Sequence, residues 1–124
     1  MIAMPMHPSN AFTIDELNAN LADILHETEE SINGRMSNPD LHYSLMDKIA
    51  DGKFHVQQGV IAGCAGGNYG NVMAAAHILK NASCGDGVFT LDVYPSSQPV
   101  YMDLVRKGAV ADLLAAGAIF KTAF

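Results

Sequence analysis

Apolar positions in the first third of the chain fall at helical spacing. Leu17, Leu21, Ile24 and Leu25 recur on one helical face. Just before them, Thr13-Ile14-Asp15-Glu16 carries the capping-box pattern, a threonine followed three residues later by glutamate. A helix is predicted from there, fraying through the polar Glu27-Thr28-Glu29-Glu30 and stopping by Gly34. Residues 1–12 read as irregular or as a short edge strand interrupted by Pro5 and Pro8, with His7-Pro8-Ser9-Asn10 as a turn. Asn38-Pro39 reads as a second helix start, with Leu41, Leu45 and Ile49 on one face and Gly52 at its end.

The second half alternates between strand and helix patterns. Val60-Ile61-Ala62 is a short apolar run suited to a buried strand. Gly63 to Gly70 follows as a loop with four glycines and one cysteine. From Asn71 onward Val72, Ala75, Ala76 and Leu79 lie on one helical face. A turn over 81–87 leads to Val88-Phe89-Thr90-Leu91-Asp92-Val93-Tyr94, β-branched and aromatic and the strongest strand signal in the chain. Pro99 opens a helix carrying Tyr101, Leu104 and Val105 that closes at Gly108, and a shorter one around Val110, Leu113 and Leu114 closes at Gly117. Residues 118–124 form a last strand. Right-handed crossovers then make strands near 58–62, 88–94 and 118–122 neighbours in a parallel sheet with helices on its faces, an α/β fold.

Composition narrows the classes. At 124 residues, 49% hydrophobic and 16% charged, the chain is long enough for one domain with a real core and too apolar to be disordered. A net charge of −6 argues against nucleic acid and anionic membrane surfaces as partners. No apolar run has the length of a membrane span, and Met1-Ile2-Ala3-Met4-Pro5 lacks a basic leader region, so the expected compartment is the reducing cytoplasm. Two cysteines, one of them in a glycine loop, do not make a disulfide framework.

The candidate chemistry lies where a strand ends and a helix begins. In α/β proteins ligands gather at that sheet edge, beside helix N–H groups that favour anions, and a thiolate there is what a metal or an electrophile needs. Cys64 is accordingly a metal or cluster ligand, a nucleophile, or a small hydrophobe. As a phosphate cradle, Gly63–Gly70 lacks the Lys-Ser/Thr of a P-loop. It fits G-x-G-x-x-G only if Ala65 replaces the first glycine. Cys84 falls in a surface turn as a structural or incidental residue. His7, His26, His42, His55 and His77 show no metal-ligand spacing, and Glu27, Glu29 and Glu30 read as a solvated helix end. Ser96 and Ser97 share the sheet edge with Cys64 and either meet a ligand or cap the helix at Pro99.

The order of these pieces carries a resemblance. Gly63-Cys64 in a glycine-rich strand-to-helix loop is followed by a strand, Tyr94-Pro95-Ser96-Ser97, Gly108, Gly117 and the strand 118–124. This run resembles the iron–sulfur domain of the aconitase superfamily, the hydro-lyases that include aconitase, homoaconitase and isopropylmalate isomerase. It is most similar to bacterial aconitase-like hydratases whose loop reads Cys-Ala-Gly-Gly in place of Ser-Cys-Thr-Asn. The likeness is strong over 56–124 and extends weakly to His7–Thr13, which looks like the family's entry into this domain.

The resemblance implies a three-layer sandwich with a mostly parallel sheet, a single domain over 1–124, and a chain that is a piece of a larger multidomain hydratase. It implies a [4Fe–4S] cluster held by three cysteines. Cys64 matches the first, and the other two form a Cys-x-x-Cys expected just beyond Phe124. Cys64 is thus the expected metal ligand, and Gly63, Gly66, Gly67 and Asn68 are the expected cofactor-binding loop, with no catalytic residue in this stretch. The full-length enzyme is expected to dehydrate and rehydrate a hydroxy-polycarboxylate at an open iron, with a di- or tricarboxylate substrate and the remaining domains of the same chain as partners. The 124 residues alone are expected to be inactive and to bind no cluster. Arg35 and Arg106 are the two arginines, and neither is beside the glycine loop in sequence. The loop lacks two hydrogen-bonding side chains found around the family's cysteine. The competing readings are a phosphate- or nucleotide-binding module built on 63–70 and a catalytically inactive homologue that keeps the fold.

Overall fold

The computed structural model describes residues 1–123, so the end of the predicted last strand, Phe124, lies outside the described residues. The chain forms two compact units, one over 1–55 and one from Val56 onward.

In the first unit, strand β1 (Ile2–Ala3) pairs antiparallel with β2 (Ala11–Phe12). The His7–Asn10 turn closes between them, with Asn10 N–H donating to the His7 carbonyl at 3.1 Å. Helix α1 (Ile14–Ala19) starts on the complete capping box of Thr13 and Glu16. The chain leaves helical geometry at Asn20 (φ −126°, ψ 32°) and resumes as α2 (Leu21–Asn33), so the one predicted helix is two. Its predicted core face holds: Leu17, Leu21, Ile24 and Leu25 are all buried.

Two expectations fail here for one reason. α2 does not fray at its polar run, and no helix forms over 39–52. Thr28 is buried and donates its hydroxyl to the Ile24 carbonyl, while Ile32 keeps the last turn in the core. Glu29 is not a solvated helix end: its carboxylate accepts from the backbone N–H of Leu45 (2.6 Å) and Met46 (3.0 Å). Asn33 acts as a strand partner, accepting from Tyr43 N–H at 2.8 Å and donating to the Tyr43 carbonyl at 2.9 Å. These bonds hold the segment from Tyr43 to Met46 against α2, and the only helical turn formed there is a 3-10 turn, Met46–Lys48. Asp51-Gly52, at φ +53° and +71°, then closes the hairpin of β3 (Ile49–Ala50) and β4 (Lys53–Phe54). Leu45 is buried, but Leu41 is 60% exposed.

The second unit follows the predicted alternation. Strand β5 (Gln58–Ile61) leads through the short helix α3 (Gly63–Gly66) into α4 (Tyr69–Leu79). Strand β6 (Thr90–Val93) leads into α5 (Gln98–Arg106), then α6 (Ala109–Ala115) and strand β7 (Ile119–Phe120). The strands form one parallel sheet in the order β5-β6-β7. Val72, Val93, Leu104 and Leu113 are fully buried in a core where α4, α5 and α6 meet Ile61, Leu91 and Phe120 of the sheet. The neighbouring register Val60–Asp92–Ile119 lies on the opposite face, where Val60 is 56% and Ile119 42% exposed.

Asp92, in the centre of that face, is buried yet ionised. Gln58 Nε2 donates to it at 2.9 Å and Lys121 Nζ lies 3.5 Å away. The Gln58 hydrogen bond, then the Lys121 charge, holds its carboxyl below the usual range. The Met46 and Leu45 amides do the same for Glu29. Carboxylates with lowered folded pKa values stabilise the fold above the ordinary value of about 4 and lose that contribution as pH falls through the lowered one. Denaturant unfolding between pH 6 and 2 (a range of about 4 units) should therefore show a falling acid limb, and Asp92→Asn, which cannot titrate, should flatten it.

Candidate functional site

Cys64 is placed by the end of β5. Ala62 is extended (φ −153°, ψ 169°), Gly63 turns the chain at φ +80°, and residues 63–66 make a single helical turn that leaves Cys64 exposed. The predicted glycine loop is thus largely helical. α4 begins at Tyr69, two residues earlier than its apolar spacing suggested, because Asn68 is its N-cap and accepts from Asn71 N–H at 2.9 Å.

Neighbouring β6 passes beneath this turn. Tyr94 N–H donates to the Ile61 carbonyl at 2.8 Å, continuing the β5–β6 ladder beyond the last paired residues. Ser96 N–H donates to the Gly67 carbonyl at 2.9 Å, and Gly67 N–H to the Gly63 carbonyl at 2.9 Å. Gly67 lies so close to the segment just after β6 that a Cβ there would overlap the Tyr94 carbonyl oxygen and sit 3.1 Å from Ser96 N. At Gly66 a Cβ would meet nothing within 4 Å. Of the expected cofactor-binding residues, Gly67 is therefore a packing requirement, Gly66 lines open space beside Cys64, and Asn68 is a cap. Ser97, not Ser96, caps α5, accepting from Val100 N–H at 3.4 Å.

One side-chain arrangement escaped the sequence reading. Asn68 Nδ2 and Asn71 Nδ2 both donate to the Ala65 carbonyl, at 2.6 and 2.8 Å. The Ala65–Gly66 peptide, one residue beyond Cys64, is thereby tied to the start of α4. The Asn-x-x-Asn spacing at 68–71 was visible, but its meaning depended on knowing that the helix starts at Tyr69.

Cys84 is half-buried, with its N–H donated to the Ala116 carbonyl at 2.8 Å. The two cysteines precede and follow α4, a helix of 11 residues, about 16 Å long. Among the described residues no group of three or more histidine, cysteine or acidic side chains could hold a metal ion. Arg106 is engaged with Asp103 on α5 at 3.5 Å. No helix of the described residues is long and apolar enough to cross a membrane.

A model of the aconitase family (aconitate hydratase) matches residues 1–124. The large subunit of 3-isopropylmalate dehydratase from Helicobacter hepaticus is 27% identical over 93 residues, 75% of this chain and 22% of that subunit. The same subunit from Clostridium beijerinckii is 34% identical over 71 residues, 57% of this chain and 17% of the relative. That from Caldanaerobacter subterraneus subsp. tengcongensis is 26% identical over 111 residues, 90% and 26% of the two chains. The chain thus spans a quarter or less of the length of most of these relatives.

Two measurements probe this geometry. Gly67→Ala should destabilise the second unit by at least about 2 kcal/mol in urea unfolding, since backbone must move, whereas Gly66→Ala should stay within about 1 kcal/mol of wild type. Under native conditions iodoacetamide should label Cys64 well before Cys84, as peptide mapping by mass spectrometry would read.

Proposed function

The chain belongs to the aconitase family, and on that premise we propose that it supplies Cys64 as one thiolate ligand of a [4Fe–4S] cluster in a hydro-lyase acting on a hydroxy-polycarboxylate. The observation that carries the reading is the placement of Cys64: exposed, just past the carboxyl end of a parallel strand, on a turn pressed against the next strand. An exposed thiol followed by Ala65 and Gly66, with open space over Gly66, suits the close approach of a bulky inorganic group at one corner. When bound, such a cluster supplies a Lewis-acidic iron for a substrate hydroxyl or water.

The remaining roles belong to this chain's own residues. Cys64 presents its thiolate, Ala65 and Gly66 keep side-chain bulk away from it, and Gly67 lets the turn lie against β6. Asn68 fixes the start of α4. The relatives are named as large subunits of 3-isopropylmalate dehydratase, which supports a hydroxy-dicarboxylate or tricarboxylate as the substrate class. Residues 1–124 act, in this reading, as one part of a longer hydratase, whose other parts bring the further cluster ligands and the groups that bind substrate carboxylates. Alone, one thiolate cannot retain a cube that takes three cysteines from protein. A phosphate cradle over 63–70 has less support, because the Gly67 and Asn71 amides already donate within the chain.

Anaerobic reconstitution of the full-length protein that contains these residues tests the proposal. With Cys64 intact it should take up iron and sulfide and show broad visible absorption. Cys64→Ala should fold but lose the cluster. A full cluster in Cys64→Ala, or no iron uptake with Cys64 present, would sink the assignment.

A further inference from the structure

We infer that Asn71, acting together with Asn68, is a positioning residue for Cys64: the two side-chain amides clamp the Ala65 carbonyl and so hold the turn that presents the thiol. This rests on the reading of Cys64 as a cluster ligand.

The turn has little to hold it by itself. It is four residues long, begins and ends in glycine, and has no side-chain cap at Ala62. Glycine is the poorest helix former after proline, and a single helical turn is below the length that sustains itself. Cys64 and Ala65 are exposed and bury no apolar surface to anchor it. On the far side, Gly67 is fixed by its contact with Tyr94 and Ser96, just after β6. Between that anchor and Gly63, the Ala65 carbonyl accepts from Asn68 Nδ2 at 2.6 Å and Asn71 Nδ2 at 2.8 Å.

The orientation of both amides follows from their partners. Asn68 Oδ1 faces the Asn71 N–H, which leaves its amino group for Ala65. Asn71 reaches Ala65 from the third position of α4, across six residues of sequence, and its side chain has no part in the cap. A carbonyl one residue from the thiol, held by two donors rooted in an 11-residue helix, gives the sulfur a defined position before any metal arrives.

Asn71→Asp separates positioning from general stability. It keeps the side-chain size, replaces the amino donor by a carboxylate oxygen that repels the Ala65 carbonyl, and places a negative charge in the first turn of α4, where helices favour it. The melting temperature should therefore hold or rise. In the 124-residue chain, hydrogen exchange at the amides of residues 64–67 should accelerate about fivefold to tenfold, the effect of losing one hydrogen bond. Iodoacetamide labelling of Cys64 should change while that of Cys84 does not. Asn71→Ala should reproduce the local effect. In the reconstituted full-length protein, Asn71→Asp should release iron faster to a ferrous chelator. Unchanged exchange at 64–67 in both variants, or acceleration spread evenly through α4 and β6, would overturn the inference. Failure of the ligand reading shows separately, as a cluster retained in Cys64→Ala.

Discussion

The second unit depends on a place where two backbones touch. Gly67 lies against the Tyr94 carbonyl with no room for a side chain, and that contact fixes where the β5–α4 connection sits over the end of β6. Everything near Cys64 takes its position from it: the Ser96 amide reaches the Gly67 carbonyl, the Gly63–Gly66 turn stands out from the sheet edge, and Asn68 can open α4. Hydrophobic burial alone would not specify this approach, since the residues involved carry almost no apolar surface. The core beneath, with Val72, Val93, Leu104 and Leu113, makes the unit stable. The glycine contact sets the geometry of the edge.

The first unit solves a different problem with side chains in place of backbone. Residues 43–46 have no strand beside them, yet their polar backbone groups need partners. Asn33 offers Tyr43 the donor and acceptor that a neighbouring strand would offer, and Glu29 receives the next two amides. Both come from α2, so one helix supplies hydrogen-bond partners to a segment ten or more residues away.

That difference explains what was legible in the sequence. The parallel sheet could be read because each strand carries apolar residues and each helix has its own period and its own punctuation, as with Ser97 before α5 and Gly108 after it. The burial of Leu17, Leu21, Ile24 and Leu25 could be read from spacing alone. The helix expected after Pro39 could not be rejected in advance: Leu41, Leu45 and Ile49 share helical spacing, and the bonds that defeat it come from Asn33 and Glu29, outside the window any periodicity samples. Asp51-Gly52 suits a hairpin turn, but a glycine at 52 equally suits a helix end. At the site, Cys64 stood out by its position between strand and helix. The bonds from Asn68 and Asn71 to Ala65 required the register of a helix start, which no residue spacing supplies.

The two units also differ in how far along the chain their partners lie, and this bears on how they form. Each hairpin of the first unit joins residues within about ten positions of one another. In the sheet of the second unit, paired residues such as Gln58 and Thr90, or Asp92 and Ile119, are separated by roughly thirty positions. Loops of that size must close before any parallel ladder bond rewards them, which makes such sheets slow to assemble. During synthesis residues 1–55 emerge before the second unit, and their strand pairings close over shorter loops, so they can form while β5 still waits for β6 and β7. In that interval β5 presents an unpaired edge, and Gly59, whose Cβ would press on Leu91 in the finished sheet, weakens its tendency to pair with a stranger.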